Sequence, residues 1–371
     1  MKKLLLILLC FPFIGFGQNV NIPDSNFKAY LVGNSLINTN GDTEIQVSEA
    51  NSFNGGIICN NMNISDLTGI EYFTNLTSLN CGNEINPTFG WISNANNIIN
   101  LDLSNNSNLK LLDCKRNLSL TNINLNGADS LSILNCKSCQ LTNLDVSNNA
   151  ALTYLDCSND TTYIIPQVGQ AGVNGNNQLT SINLTNNLKL EQVSFVRNRL
   201  TSLDFTNNPN LKEVDCKNNY TLAAINLSNN PNLTHLRCQN NKITNLDLSS
   251  TNNLGYLDCS FNQITNLNLS NNLVFNVIGN SSSSPKFMNN PPMTLILNNT
   301  NISSINIRNQ ADSVIELFVN NNPNLIFLGA EFLSLTILEI SNNPLLADID
   351  CWNNQLTSLD VSSNQALISL D

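Results

Sequence analysis

Positive charge, aromatic rings and histidine are all scarce in this sequence. Lysine and arginine total 16 against 27 acidic residues, a formal net charge of -11. A surface of that sign repels phosphate backbones and anionic headgroups, which argues against nucleic acid or a membrane surface as partner. Aromatic residues make up 6% of the chain and charged residues 12%, so the apolar content is aliphatic and finely divided rather than gathered round a few large rings. The single histidine is His235. No serine stands in a nucleophile elbow, and no glycine-rich phosphate loop follows a strand and opens a helix. A paired-carboxylate hydrolase would need a concave, desolvated pocket. Catalysis is therefore not expected, and no cofactor is required. Long hydrophobic runs are also missing after Leu4 to Phe16, which sits behind Met1-Lys2-Lys3 and ahead of Gly17. That run is shorter than the ~20 residues of a membrane helix. It reads as an export signal over residues 1–17, cleaved before Gln18. Leu9 before Cys10 disfavours a lipoprotein, so the mature protein is expected to be secreted or held at the cell surface.

What the sequence has in abundance is one phrase. It reads LKLLDCKRN from Leu109, LTNLDVSNN from Leu141, LKEVDCKNN from Leu211, LTHLRCQNN from Leu233 and LTSLDVSSN from Leu356. The common form is L-x-x-L-x-(L or C)-x-x-N, the leucine-rich-repeat signature. Within each run it recurs every ten or eleven residues, half the usual spacing, so one coil should hold two phrases. The two kinds alternate. One carries cysteine at its sixth position (Cys114, Cys136, Cys157, Cys216, Cys238, Cys259, Cys351), the other Leu, Val or Phe (Leu103, Val146, Phe205, Leu248, Val361). The first, fourth and sixth residues should point inwards. The ninth-position asparagine should satisfy backbone groups that no ladder reaches. The expected architecture is a leucine-rich-repeat solenoid. It is a narrow β-rich rod of about a dozen coils of 21–22 residues, each with two short parallel-stacked strands, and few helices outside an N-terminal cap.

On these phrases the chain resembles the secreted, Asn-rich leucine-rich-repeat proteins of Bacteroidetes, with short double-phrase coils similar to internalin-type arrays. The resemblance covers roughly residues 60 to 371. Residues 18–58 fall outside it and should cap the first coil, leaving 59–371 as the repeat domain. The last phrase begins at Leu367 and stops at Asp371, which reads as a fragment or as the loss of a following domain. Insertions at about 83–97, 159–178 and 282–292 all interrupt Cys-type phrases, so they should leave the same rim and could together shape one binding site. Tolerance of that rim for insertion explains them equally well.

Outward positions of the Cys-type phrases are diverse, whereas those of the other phrases are mostly Ser, Thr, Asn or Asp. A recognition face needs such diversity, with rings that supply contact area at little entropic cost. The candidate ligand-binding residues are Arg116, Tyr154, Glu213, His235, Arg237, Tyr256, Phe261 and Trp352. Drift on an unselected surface is the plainer alternative. The cysteines, ten once Cys10 is removed, occupy a leucine slot and should form a buried thiol ladder rather than a disulfide framework. Cys136 and Cys139 form a C-x-x-C that would suit zinc, but the repeat's sixth and ninth slots account for both. In the cap, NTNGDTEIQVSE resembles an EF-hand loop, with Asn38, Asn40, Asp42, Glu44 and Glu49 as possible calcium ligands. Asn38 replaces the usual first Asp and Thr43 the turn glycine, so a capping turn competes with the metal reading. Aspartates at the fifth position, such as Asp102, Asp145, Asp204, Asp247 and Asp360, could hold cations or sugar hydroxyls, or simply be solvated. The function these features favour is an adhesin or adaptor that binds a protein or a glycan through the Cys-side face and rim loops. A structural spacer presenting something beyond the C-terminus is the alternative.

Overall fold

A computed structural model describes residues 17–85, 92–160, 177–270, 272, 277–278, 289–307 and 314–371. Apart from Gly17 the export signal lies outside these residues, as do the middle of the first two insertions and most of the third.

The phrase places a strand over its third to fifth residues. Leu111–Asp113, Ile133–Asn135, Tyr154–Asp156, Glu213–Asp215, His235–Arg237 and Tyr256–Asp258 all sit there. Successive strands pair in parallel and in register, so that Ile133, Tyr154 and Gln192 stack in one column and Glu213, His235 and Tyr256 continue it. Nine strands form one sheet, from Gly56–Ile58 to Tyr256–Asp258, and five more form a second, from Val277–Ile278 to Ser369–Leu370. The opposite side is less regular. It carries ladders of two, two and four strands, while residues 143–145, 181–183, 245–247 and 358–360 form none. Leu144 and Leu246 are buried there nonetheless, and nothing in their local sequence sets these phrases apart.

The expected inward positions are filled. Leu211, Val214 and Cys216 are fully buried, as are Leu233, Leu236 and Cys238 one coil on. Each leucine so buried contributes about 2 kcal/mol, realised only against the neighbouring coils. The ninth-position asparagines behave as anticipated. Asn219 donates from its amide to Phe195 O and Cys216 O, and its Oδ1 accepts from Leu200 N. Asn262 repeats this with Cys238 O, Cys259 O and Ile243 N.

The fifth position has a role that the sequence reading missed. Asp113, Asp156, Asp215 and Asp258 each accept the backbone N–H two residues on, and Asp102, Asp145, Asp204, Asp247 and Asp360 do the same on the other side. These are Asx turns, which bend the chain sharply out of each three-residue strand. The hydroxyls of Ser147 and Thr206, with the backbone amides of the same residues, hold Asp145 and Asp204 below the usual carboxylate range.

The N-terminal cap comprises helices α1 (Ser25–Val32) and α2 (Val47–Ser52). Phe27 and Leu31 of α1 are fully buried beneath the first coil. Asp24 caps α1 through Asn26 N and Phe27 N, and its other oxygen accepts from Ser65 N, which ties cap to solenoid.

Candidate recognition face and rim

Of the eight expected face residues, four form one patch. His235 and Tyr256 face each other across the ladder and stack with ring centroids 5.8 Å apart and planes at 20°. Two residues along its strand from His235, Arg237 places its guanidinium carbon 4.8 Å from the Tyr256 centroid. Arg237 lies in register between Asp215 and Asp258, yet makes no ion pair with either among the described residues. Asp215 is paired with Lys217, and Asp258 accepts both N–H and O–H from Ser260. The arginine is thus left on the ring, a cation–π contact worth roughly 0.5–1 kcal/mol at an exposed site. Glu213 lies beside His235 on the preceding strand. Tyr154 occupies the same column farther towards the cap; burial and Asp156 push its phenol up to about 12, so it acts as a hydrogen-bond donor at any physiological pH.

The other three behave differently. Arg116 turns inward: its Nε meets Asp160 Oδ2 at 2.6 Å, and its remaining nitrogens reach Asp160 Oδ1 and Asn83 O. Lys137 also binds Asp160, while Lys115 bridges Asp113 and Glu84. Burial works to raise Asp160, but Arg116 and Lys137 outweigh it and hold its carboxyl below the usual range. Arg116 is a pin between the bases of two insertions rather than part of an open face. Phe261 and Trp352 are half exposed, but both lie in the turn after their strand, on the rim. Trp352 sits edge-on to Phe332, with centroids 4.3 Å apart. Phe261 follows the Tyr256 strand directly, whereas on the Cys side three strands separate the strand before Trp352 from that of Tyr256.

The rim itself is the larger finding. The eighth residue of most phrases on the Cys side has a left-handed backbone: φ is 57° at Arg116, 61° at Arg197, 62° at Asn218, 59° at Asn240, 55° at Phe261 and 58° at Phe332. Asparagine tolerates that region, whereas bulky side chains do so at a cost of order 1–3 kcal/mol. The first two insertions share one closure. Asn83 donates to Asn96 O and Arg116 O and accepts from Asn96 N; Asn159 does the same with Asn177 and Arg197. Asn96 and Asn177 then take up the ninth-position role, donating to Cys59 O and Cys81 O, and to Cys136 O and Cys157 O. All three insertions leave the Cys-side strands, and Asn290 at the end of the third accepts from Ile264 N and donates to Cys259 O.

The thiol ladder is present, interrupted by Phe195. Cys59, Cys81, Cys114, Cys136 and Cys157 precede it and Cys216, Cys238 and Cys259 follow, all buried and unpaired. Cys136 Sγ and Cys157 Sγ are 3.4 Å apart. Burial pushes Cys59 up to about 12 and Cys216 and Cys238 higher. Cys139 occupies a ninth slot, its thiol directed at Cys114 O.

In the cap, the possible calcium ligands already have donors. Glu49 accepts from Thr39 N, Thr39 Oγ1, Asn40 N and Gln46 N. Asn38 Oδ1 accepts from Gly41 N, and Asp42 accepts from Glu44 N, Asn40 Nδ2 and Gln46 Nε2. Glu44 pairs with Lys28 at 2.6 Å. A calcium ion would have to displace most of these bonds, so the donor set as folded fits a hydrogen-bonded turn better than a metal. Among the described residues no group of three or more His, Cys, Asp or Glu side chains is placed to hold a metal, and no helix is long and apolar enough to cross a membrane.

Neither a family model nor a curated protein sequence matches the chain. Among solved structures, it is similar to the functional domain of InlJ from Listeria monocytogenes, which includes a cysteine ladder: identity is 30%, over 95% of this chain and 75% of that one, with a TM-score of 0.57. Internalin C2 from the same species shows 21% identity over 67% of this chain and 91% of its own, with a TM-score of 0.42. A leucine-rich-repeat protein of Leptospira interrogans shows 14% over 83% and 81%, with a TM-score of 0.43. The last two add no weight at those values. Matched at 30% identity along 95% of its length, the chain belongs to the internalin-type leucine-rich-repeat family.

Proposed function

We propose that this is an exported, non-catalytic binding module of the adhesin or adaptor type, whose Cys-side sheet engages a protein partner. The observation that carries the reading is the His235–Tyr256 stack with Arg237 seated on the same ring. Three strands place an acid, an imidazole, a guanidinium and a phenol side by side on a rigid sheet, with Tyr154 farther along the same column. Aromatic and arginine anchors of this kind dominate protein interfaces, and the ladder fixes them before the partner arrives, so little ordering entropy is lost on binding.

The test is an array of candidate surface proteins probed with the full chain and with Tyr256→Ala and Tyr154→Ala. Truncating an anchor of this type costs about 2 kcal/mol, so affinity for any hit should fall at least tenfold. A solenoid that serves only as a spacer would bind nothing, or bind equally well after both substitutions.

We further infer that the loop from Asn38 to Glu49 caps the solenoid without a metal. Glu49→Gln should then lower stability to unfolding by about 2 kcal/mol, because one buried acceptor becomes a donor facing other donors. Calorimetric titration of calcium should give no heat. A binding heat that disappears in Glu49→Gln would establish the metal instead.

A further inference from the structure

A second site lies on the rim, one turn away from the sheet face. Where the second insertion rejoins the solenoid, the turns of two successive coils enclose a cleft of about 600 Å³, lined by Gln178, Arg197, Arg199, Asn218, Tyr220 and Thr221 among others. Arg197 and Arg199 are two of only five arginines in an acidic chain. Both are exposed, and neither has a carboxylate partner among the described residues. The nearby acid is Asp160, but its carboxylate is taken by Arg116 and Lys137 at 2.6 and 2.9 Å; it offers Arg197 only its backbone carbonyl, at 3.4 Å. Two guanidinium groups therefore share a concave surface with uncompensated positive charge. The third element is Tyr220, whose ring is 65% exposed on a backbone with φ of 38°. A tyrosine in that region is strained, and nothing buried accounts for it.

The rest of the lining decides the ligand class. It consists of asparagine, glutamine and threonine, with no aliphatic side chain. An apolar peptide anchor would find no partner there. A sugar would: amides and hydroxyls bond its ring hydroxyls, a flat exposed phenol stacks on its apolar face, and paired arginines take a carboxylate in fork geometry. We propose that this cleft binds a carboxylate-bearing saccharide, with Arg197 and Arg199 holding the carboxylate and Tyr220 stacking on the pyranose ring. The proposal does not rest on the sheet-face reading, since Tyr256 and His235 line no part of the cleft.

The experiment is ligand-detected NMR with the full chain and three soluble probes: a sialylated trisaccharide, a hexuronate oligomer and neutral lactose. At least one acidic probe should bind at millimolar concentration or below, at least tenfold more tightly than lactose, and less tightly as salt is raised. The stronger of the two identifies whether a terminal or an in-chain carboxylate is preferred. Arg197→Asn combined with Arg199→Gln should abolish that preference; asparagine already occupies the equivalent left-handed position at 218, so the turn is preserved. Tyr220→Asn should weaken all saccharide binding severalfold without lowering the thermal transition, since asparagine tolerates the left-handed backbone better than tyrosine does. Tyr256→Ala should leave saccharide binding unchanged. Equal binding of acidic and neutral probes, an acidic preference that survives the double substitution, or loss of binding in Tyr256→Ala would overturn the proposal.

Discussion

A thiol reagent added to the native protein is expected to modify Cys351 and to leave the other nine described cysteines untouched until the solenoid unfolds. Those nine are buried, whereas Cys351 is only half covered, with Trp352 beside it on the rim. Two barriers act together. The reagent cannot reach the sulfur, and the thiolate that would attack it is disfavoured: burial drives Cys81 and Cys238 well above the ordinary thiol range, and the neighbouring thiols Cys139 and Cys157, with burial, do the same to Cys114 and Cys136. Reaction at the ladder should follow coil opening, slower than at Cys351 by about a thousandfold or more if opening costs several kcal/mol. Counting titratable thiols before and after denaturant checks this. Fast reaction of several thiols in the native state would show that the coils breathe individually, and a shortfall in denaturant would reveal disulfides where the structure has free thiols.

Asn219→Ala is expected to be the most damaging single substitution in the middle of the rod. It removes two donors to buried carbonyls, Phe195 O at 3.0 Å and Cys216 O at 2.8 Å, and the acceptor of Leu200 N at 3.1 Å. Phe195 O keeps a bond from Asn198 Nδ2 and Cys216 O one from Asn241 Nδ2, but two buried hydrogen bonds worth about 1 kcal/mol each are lost and the buried Leu200 N is left without its acceptor, at about 1–3 kcal/mol. A loss of about 3 kcal/mol in unfolding free energy is expected. Because stability in a stacked repeat depends on nearest neighbours, hydrogen exchange should quicken first at Leu200 and the flanking coils. Asn218→Ala, one residue away and only half-buried, should cost only about 1 kcal/mol, because alanine lacks the short polar side chain that lets asparagine tolerate the left-handed region. Equal effects at the two positions would refute the distinction between the buried ladder and the turn.

Much of this architecture was legible because the repeat averages over its own errors. Leu211, Val214, Cys216 and Asn219 are each ambiguous alone, but the same spacing at Leu233, Leu236, Cys238 and Asn241 fixes which side of the strand is buried. The thiol ladder followed from cysteine standing in a leucine slot. Interactions that leave the repeat were not legible. Arg116 looked like a free outward cation because its partner, Asp160, lies 44 residues away in sequence, beside an insertion that the period does not describe. Tyr220 was passed over since its place, just after the asparagine slot, varies freely between phrases. The fifth-position aspartates invited a ligand-binding reading because their real partner, the amide two residues on, is present in every sequence and so leaves no signature.

The asparagine pairs at the insertion bases have an architectural consequence. Asn83 with Asn96, and Asn159 with Asn177, each complete a coil by themselves and return the chain to the ladder in phase. The length and composition of whatever hangs between the two partners are thereby decoupled from the pitch of the rod. Each pair works as a socket: segments can be exchanged, shortened or grafted there without renegotiating the core. A scaffold with several sockets on one edge can change its specificity quickly while its winding stays fixed.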